Sequence, residues 1–230
     1  SMWVFNVDRS SRYPLDGTRP CKANCHLSPD ARWVTVYNAA DETFDKMRLD
    51  GSQRVPIAKR VTDAQWWSED TLVVWTAAHT PAFQKEGSDE REIISAARIF
   101  SVQPGGRWAL KMLLQGDYFV QTLVNIDTPE QVYPLTPDTT FFNAYAWSPD
   151  GQWLAYIGKV TQDGKTSAEV FAVDPSFGAF PNQWTRFMVA GDGAVRIGGQ
   201  SPTHGLSWSP DGRKLAFWVT PYAGNGDPTP

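Results

Sequence analysis

Three stretches of this chain are versions of one another: His26-Leu27-Ser28-Pro29-Asp30-Ala31-Arg32-Trp33-Val34, Ala146-Trp147-Ser148-Pro149-Asp150-Gly151-Gln152-Trp153-Leu154 and Ser207-Trp208-Ser209-Pro210-Asp211-Gly212-Arg213-Lys214-Leu215. Recurrence of this kind is the mark of a repeat architecture, in which each copy is one small module that stacks on its neighbours to bury its apolar face. In each copy a short apolar run ends in Ser and turns at Pro-Asp, followed by Gly in two copies and by Ala31 in the first. It resumes as alternating residues such as Trp153-Leu154-Ala155-Tyr156-Ile157 or Lys214-Leu215-Ala216-Phe217-Trp218-Val219. Proline presets the first turn position, and Asp-Gly supplies a side-chain acceptor and a permissive backbone. The module is therefore strand, turn, strand.

A second hairpin of different wording follows two of the copies. Phe44 to Val55 follows the first and Ala168 to Pro175 the second, both with period-two alternation and Asp-Gly or Asp-Pro punctuation. Four antiparallel strands per repeat describe a propeller blade. Ser-Pro-Asp-Gly followed by Leu-Ala-Phe or Leu-Ala-Tyr resembles the WD-like repeat of TolB-type β-propellers, a repeat shared with the propellers of prolyl-oligopeptidase-like peptidases. Tyr133-Pro134-Leu135-Thr136 ahead of Ala146-Trp147-Ser148 is similar to that family's blade junction. The resemblance implies an all-β propeller with a scaffold role.

Two copies are degenerate. Trp67-Ser68-Glu69-Asp70-Thr71-Leu72-Val73-Val74-Trp75 lacks the Pro and Gly. Phe100 to Leu110 reads either as the outer hairpin of the preceding blade or as a worn inner hairpin with its own outer half at Gln121 to Ile126 and Gln131 to Tyr133. Blade number is four or five accordingly. Met2 to Asp8 reads as an outer strand without an inner hairpin before it, and Leu215 to Thr220 as an inner one without an outer hairpin after it. The N-terminal strands are thus expected to complete the C-terminal blade, closing the ring and removing exposed sheet edges. An open ring, as in a fragment of a larger propeller, predicts homodimers through those edges. Residues 1–230 are expected to be a single domain, and no run approaches the roughly 18 apolar residues a membrane span requires. Ser1 reads as a remnant of processing, so the lack of a targeting segment before Met2 is uninformative.

Charge narrows the partners. A formal net charge of −4 and a mixed-sign run from Lys85 to Glu92 give no basic footprint for nucleic acid. Cys21 and Cys25 are close enough for a small local disulfide in an oxidising compartment. The Cys-Lys-Ala-Asn-Cys-His spacing is one residue too long for haem attachment, and two cysteines with three histidines make a poor zinc set. No metal and no cofactor is expected. There is no G-x-S-x-G elbow. The repeated Asp30, Asp150 and Asp211 are turn acceptors, which leaves Asp63 and Asp138 as the acids that could face a central funnel.

Trp67, Trp147 and Trp208 share one repeat position, Trp33 and Trp153 another, and both sets are expected to pack between blades. Trp66, Trp184 and Phe141 to Tyr145 fall outside that pattern. Propellers bind ligands at the face formed by the loops into each innermost strand and the loops joining second and third strands. Here those are Cys21 to Asn24, Thr62 to Gln65, Thr140 to Tyr145 and Gln200 to Gly205, with Asn38 to Glu42, His79 to Glu92 and Val160 to Thr166. On that face Trp66, Phe142, Tyr145 and His204 are the aromatic candidates, and Asp41, Glu42 and Arg91 the charged ones.

The expected function is a non-enzymatic binding module, periplasmic, cell-surface or secreted, for a protein, peptide or glycan. The alternative is the gating or substrate-binding propeller of a hydrolase, either a prolyl-oligopeptidase-like peptidase or a small glycosidase.

Overall fold

The computed structural model describes residues 2–6, 10–15, 25–94, 99–115, 118–135, 145–162, 165–177, 182–184, 195–197, 206–217 and 219–221. They form an all-β molecule whose strands pair antiparallel, with one turn of 3-10 helix at Pro175–Phe177. The chain divides into two compact units, Ser1–Arg98 and Ile99–Pro230.

In the first unit, β1 (Met2–Asn6) pairs with β2 (Ser11–Leu15). A second sheet is made of β3 (Trp33–Asn38), β4 (Thr43–Arg48) and β5 (Arg54–Lys59), and a bridge from Leu27 to Val34 adds the innermost segment of a blade. The third sheet is a full blade: β6 (Asp63–Trp66), β7 (Thr71–Trp75), β8 (Pro81–Lys85) and β9 (Arg91–Ile93). Between these two sheets lie Phe44, Ile57, Ala58 and Val61 on one side and Ala64, Trp66, Leu72, Val74 and Ala82 on the other, all withdrawn from water.

In the second unit, β10 (Ile99–Val102), β11 (Trp108–Gln115), β12 (Tyr118–Asn125) and β13 (Val132–Pro134) form one four-stranded sheet. Of the two readings of Phe100 to Leu110, the worn inner hairpin is therefore the one adopted, with its own outer half. β14 (Tyr145–Trp147), β15 (Leu154–Gln162), β16 (Lys165–Val173) and β17 (Asn182–Gln183) form the next. β18 (Val195–Ile197) pairs with β21 (Val219–Pro221), and β19 (Leu206–Trp208) with β20 (Leu215–Phe217). Leu110, Leu123, Leu135, Leu154, Tyr156 and Val173 pack as one core. Burial pushes the Tyr156 phenol well above its usual range, and its hydroxyl donates to the Leu135 carbonyl at 2.6 Å.

The repeat is built the same way each time. In the second copy Ser148 N–H donates to Trp153 O at 2.8 Å and Trp153 N–H returns a bond to Ser148 Oγ at 2.9 Å. Ser148 Oγ donates to Asp150 Oδ1 at 2.5 Å, which also accepts Gln152 N–H at 3.1 Å. Ser28 with Asp30, and Ser209 with Asp211, repeat this set. Pro29, Pro149 and Pro210 hold the first turn position between them. In the worn copy one side chain does both jobs: Gln103 Oε1 accepts Arg107 N–H at 3.1 Å and Trp108 N–H at 3.2 Å. Gln103 Nε2 then crosses to the Gly151 carbonyl at 2.8 Å. Gly151 has φ 71° and a Cβ there would sit 2.2 Å from the Pro104 carbonyl oxygen, so no side chain fits.

Candidate functional site

Strand direction gives each sheet two distinct ends. The hairpin end carries the Ser-Pro-Asp turns and the links from third to fourth strand. The leading end carries the starts of the innermost strands, the links from second to third strand, and the connections between sheets. The binding face expected from the sequence is the leading end.

Three of the seven candidates are placed differently from the expectation or are already engaged. Trp66 is 6% exposed and lies in the first unit's core. The turn after it is one residue shorter than in the good copies, so that Trp66 faces Leu72 as Trp147 faces Leu154 and Trp208 faces Leu215. Matching Trp67 to the repeat was out of register by one; Trp67 instead packs against Phe83 with ring centres 4.9 Å apart. Arg91 sits at the hairpin end, because the link from second to third strand stops at Thr80 and the residues beyond Lys85 join third to fourth strand. Its guanidinium donates to Gln84 Oε1 at 2.9 Å and to the Lys59 carbonyl at 2.6 Å, clamping one sheet to the next. Tyr145 is at the leading end but half-buried, its hydroxyl 3.4 Å from the Phe100 carbonyl.

Asp41 and Glu42 are exposed at the leading end, in the turn from β3 to β4, where Asn38 Nδ2 donates to Asp41 at 2.9 Å. Phe142, His204 and Asp138 lie outside the described residues. So does Cys21, while Cys25 is disulfide-bonded. Among the described residues no three His, Cys, Asp or Glu converge as metal ligands, and no helix is long and apolar enough to cross a membrane.

Two features of the leading end were not anticipated. His26 and Asp63, which open successive innermost segments, meet with Nε2 3.4 Å from Oδ1. The other is conformational. Glu42, Arg60 and His79 adopt left-handed backbones, with φ of 53°, 53° and 56°. Elsewhere in the same unit the left-handed positions are Ser10, in the turn from β1 to β2, and Ala31, Gly51 and Gly87 at the hairpin end of the two larger sheets. For an L-residue this conformation costs roughly 1 kcal/mol that glycine avoids. All three leading-end side chains are exposed, and among the described residues none makes a hydrogen bond or ion pair. The sequence signal was present though faint: Asn38 to Glu42 and Ala77 to Thr80 are hairpin turns without glycine.

A second exposed feature belongs to the hairpin end of the second unit. Trp184, 45% exposed, lies 5.8 Å from Trp153 and 5.7 Å, edge-on, from Trp208. Trp208 Nε1 donates across to the Ala146 carbonyl at 2.9 Å, which ties one ring of this trio to the neighbouring sheet.

Stacked antiparallel sheets cross-linked by indoles are the anatomy of a β-propeller, and the comparison with solved structures agrees. The chain is similar to a TolB-assigned protein of Agrobacterium tumefaciens, with a TM-score of 0.63 and 13% identity over 97% of this chain and 78% of that one. It is also similar to TolB of Acinetobacter baumannii, with a TM-score of 0.54 and 14% identity over 79% of this chain and 47% of that one. The tricorn protease matches at a TM-score of 0.50 and 11% identity, over 93% of this chain and 21% of the protease. No family model matches the chain, and no curated protein does. The fold is a β-propeller of the TolB and WD-like type. At these identities the likeness carries the fold alone, and one fold hosts unrelated functions.

Proposed function

We propose that this chain is a non-enzymatic binding propeller of the bacterial cell envelope or exterior, and that it recognises a protein, peptide or glycan through the leading end of its first unit. The observation that carries the reading is the choice of residue at strained turns. Glu42, Arg60 and His79 hold left-handed positions that glycine would fill at lower cost, and among the described residues their side chains make no hydrogen bond or ion pair. Residues kept in sparsely populated backbone regions concentrate where a side chain has work to do. Asp41 beside Glu42 adds charge to the same rim. A mixed set of acid, guanidinium and imidazole suits a polar partner read by complementary charge. The disulfide at Cys25 supports an oxidising compartment.

The likeness to part of the tricorn protease supports a second reading, in which the propeller gates or feeds a hydrolase. Both readings are tested by screening the chain against a random peptide display library and an array of bacterial surface glycans. The binding reading expects a binder whose affinity falls at least about tenfold in the Glu42→Gly, Arg60→Gly, His79→Gly variant and is unchanged in Ser209→Ala. A binder indifferent to those three changes, or none from either panel, overturns it. Cleavage of a displayed peptide would favour the hydrolase reading.

A further inference from the structure

We infer that His26 and Asp63 form a proton-operated clasp that ties the innermost segments of two successive sheets together at the leading end. The inference rests on their contact alone and stands whether or not this end binds a ligand. Both backbones are fixed before the side chains meet. His26 N–H donates to Thr35 Oγ1 at 2.8 Å and its carbonyl accepts Thr35 N–H at 2.9 Å, with Thr35 fully buried. Asp63 Oδ1 accepts the N–H of Ala64, itself fully buried, at 2.8 Å, and the link before it is held by Thr62 N–H on the Trp75 carbonyl at 2.7 Å.

The side chains therefore meet across a gap that the main chain cannot easily widen. His26 Nε2 is shielded from water, lies 3.4 Å from the carboxylate oxygen, and has no formed hydrogen bond. A neutral ring brings at best one donor to that oxygen, and in the tautomer with Nε2 unprotonated it brings a lone pair against a carboxylate. A doubly protonated ring brings a donor and a full positive charge, which makes the contact a charge-assisted hydrogen bond. Histidine is the side chain that most readily takes up such a proton as a solution turns acid. The clasp accordingly tightens on the acid side and slackens on the alkaline side.

Among the described residues no other chargeable group forms an ion pair with His26. From β3 the neutral Thr35 hydroxyl meets the His26 segment. On its own segment Asp30 and Arg32 face each other at 3.9 Å. Arg60 in the link from β5 and His79 in the turn from β7 are exposed and form no ion pair with the ring.

Amide hydrogen exchange at Thr35 and Ala64, corrected for the intrinsic pH dependence of exchange and compared between pH 5.5 and pH 8.0, tests the clasp. Thr35 and Ala64 are its direct reporters, since each amide bonds to one of its two residues. Protection about tenfold greater at pH 5.5 is expected in the native chain. The response should vanish in both Asp63→Asn and His26→Gln and persist in His79→Gln, which removes the exposed imidazole at the same end. Asparagine retains the acceptor for Ala64, so Asp63→Asn keeps the local fold. A native chain without the response, or a response that survives Asp63→Asn, overturns the inference.

Discussion

The two ends of the first unit's sheets answer the same problem, a reversal of the chain, with opposite chemistry. At the hairpin end of the two larger sheets the left-handed positions go to small residues, Ala31, Gly51 and Gly87, as the β1–β2 turn gives its own to Ser10, and carboxylates of these turns are hydrogen-bonded within them. Asp30 is bonded to Ser28 Oγ and Arg32 N–H, and Asp50 to Ser52. At the leading end the same backbone conformation is given to Glu42, Arg60 and His79, whose side chains are left to solvent. Both ends carry backbone strain, Ala31 at one and three residues at the other, but only at the leading end does it present large polar side chains. The hairpin end is where sequence repeats, because the hydrogen-bond set admits few substitutes. The leading end is where it varies.

Four changes would break or sharpen that contrast. The largest effect is expected from Trp66→Ala, which empties the space between the two sheets of the first unit and should cost about 3–5 kcal/mol in denaturant unfolding. Glu42→Ala in the same assay should stay within about 0.5 kcal/mol, as an exposed side chain without partners does. Tyr156→Phe leaves the buried Leu135 carbonyl without its donor and should cost about 1–3 kcal/mol. Ser148→Ala removes a fully buried hydroxyl that serves Trp153 N–H and Asp150 together, and about 1–2 kcal/mol is expected from thermal unfolding at pH 7.

A further effect is a pH dependence at the hairpin end. The Ser209 hydroxyl, with the Arg213 amide behind it, holds the Asp211 carboxyl below its usual range, and the Thr71 and Ser68 hydroxyls do the same for Asp70. A carboxyl depressed in the folded state contributes stability that is present above its unfolded value, about 3.9, and is lost as pH falls through the lower folded value. Asp211→Asn should therefore flatten the acid limb of a stability–pH curve below about pH 4 and leave the curve above pH 5 parallel to that of the native chain. An acid limb of unchanged slope would show that the turn bonds do not depend on the charge.

Much of the scaffold was legible in the sequence because it repeats: Ser28, Ser148 and Ser209 announce their turns, and the alternation downstream announces the strands. Where the repeat is worn, reading fails in instructive ways. Deletion of one residue in the turn after Trp66 moved the buried indole from Trp67 to its neighbour, a shift that alignment by the Trp-Ser pair conceals. Gln103 replaced both the serine and the aspartate of the motif, so the blade from Ile99 to Pro134 lacked its usual wording while keeping its bonds. Strand order gave the two ends of each sheet, but not which residues each end would carry. Arg91 was assigned to it because a loop of two links was read as one. Arg60 and His79 were missed because a left-handed residue is a backbone property that the side chain does not disclose, and His26 with Asp63 because 37 positions of chain separate residues that touch.

The claim that the leading end gives up stability in order to present side chains is tested most directly by comparing two variants in equilibrium urea unfolding: Glu42→Gly, Arg60→Gly, His79→Gly against Gly51→Ala, Gly87→Ala. The second pair should lose about 2 kcal/mol, since each added Cβ meets a left-handed backbone. The triple variant should match the native chain or exceed it by up to about 1–2 kcal/mol, the relief of strain being partly offset by the entropy of three new glycines. A triple variant that loses stability as the glycine pair does would contradict the account, because it would make Glu42, Arg60 and His79 part of the scaffold.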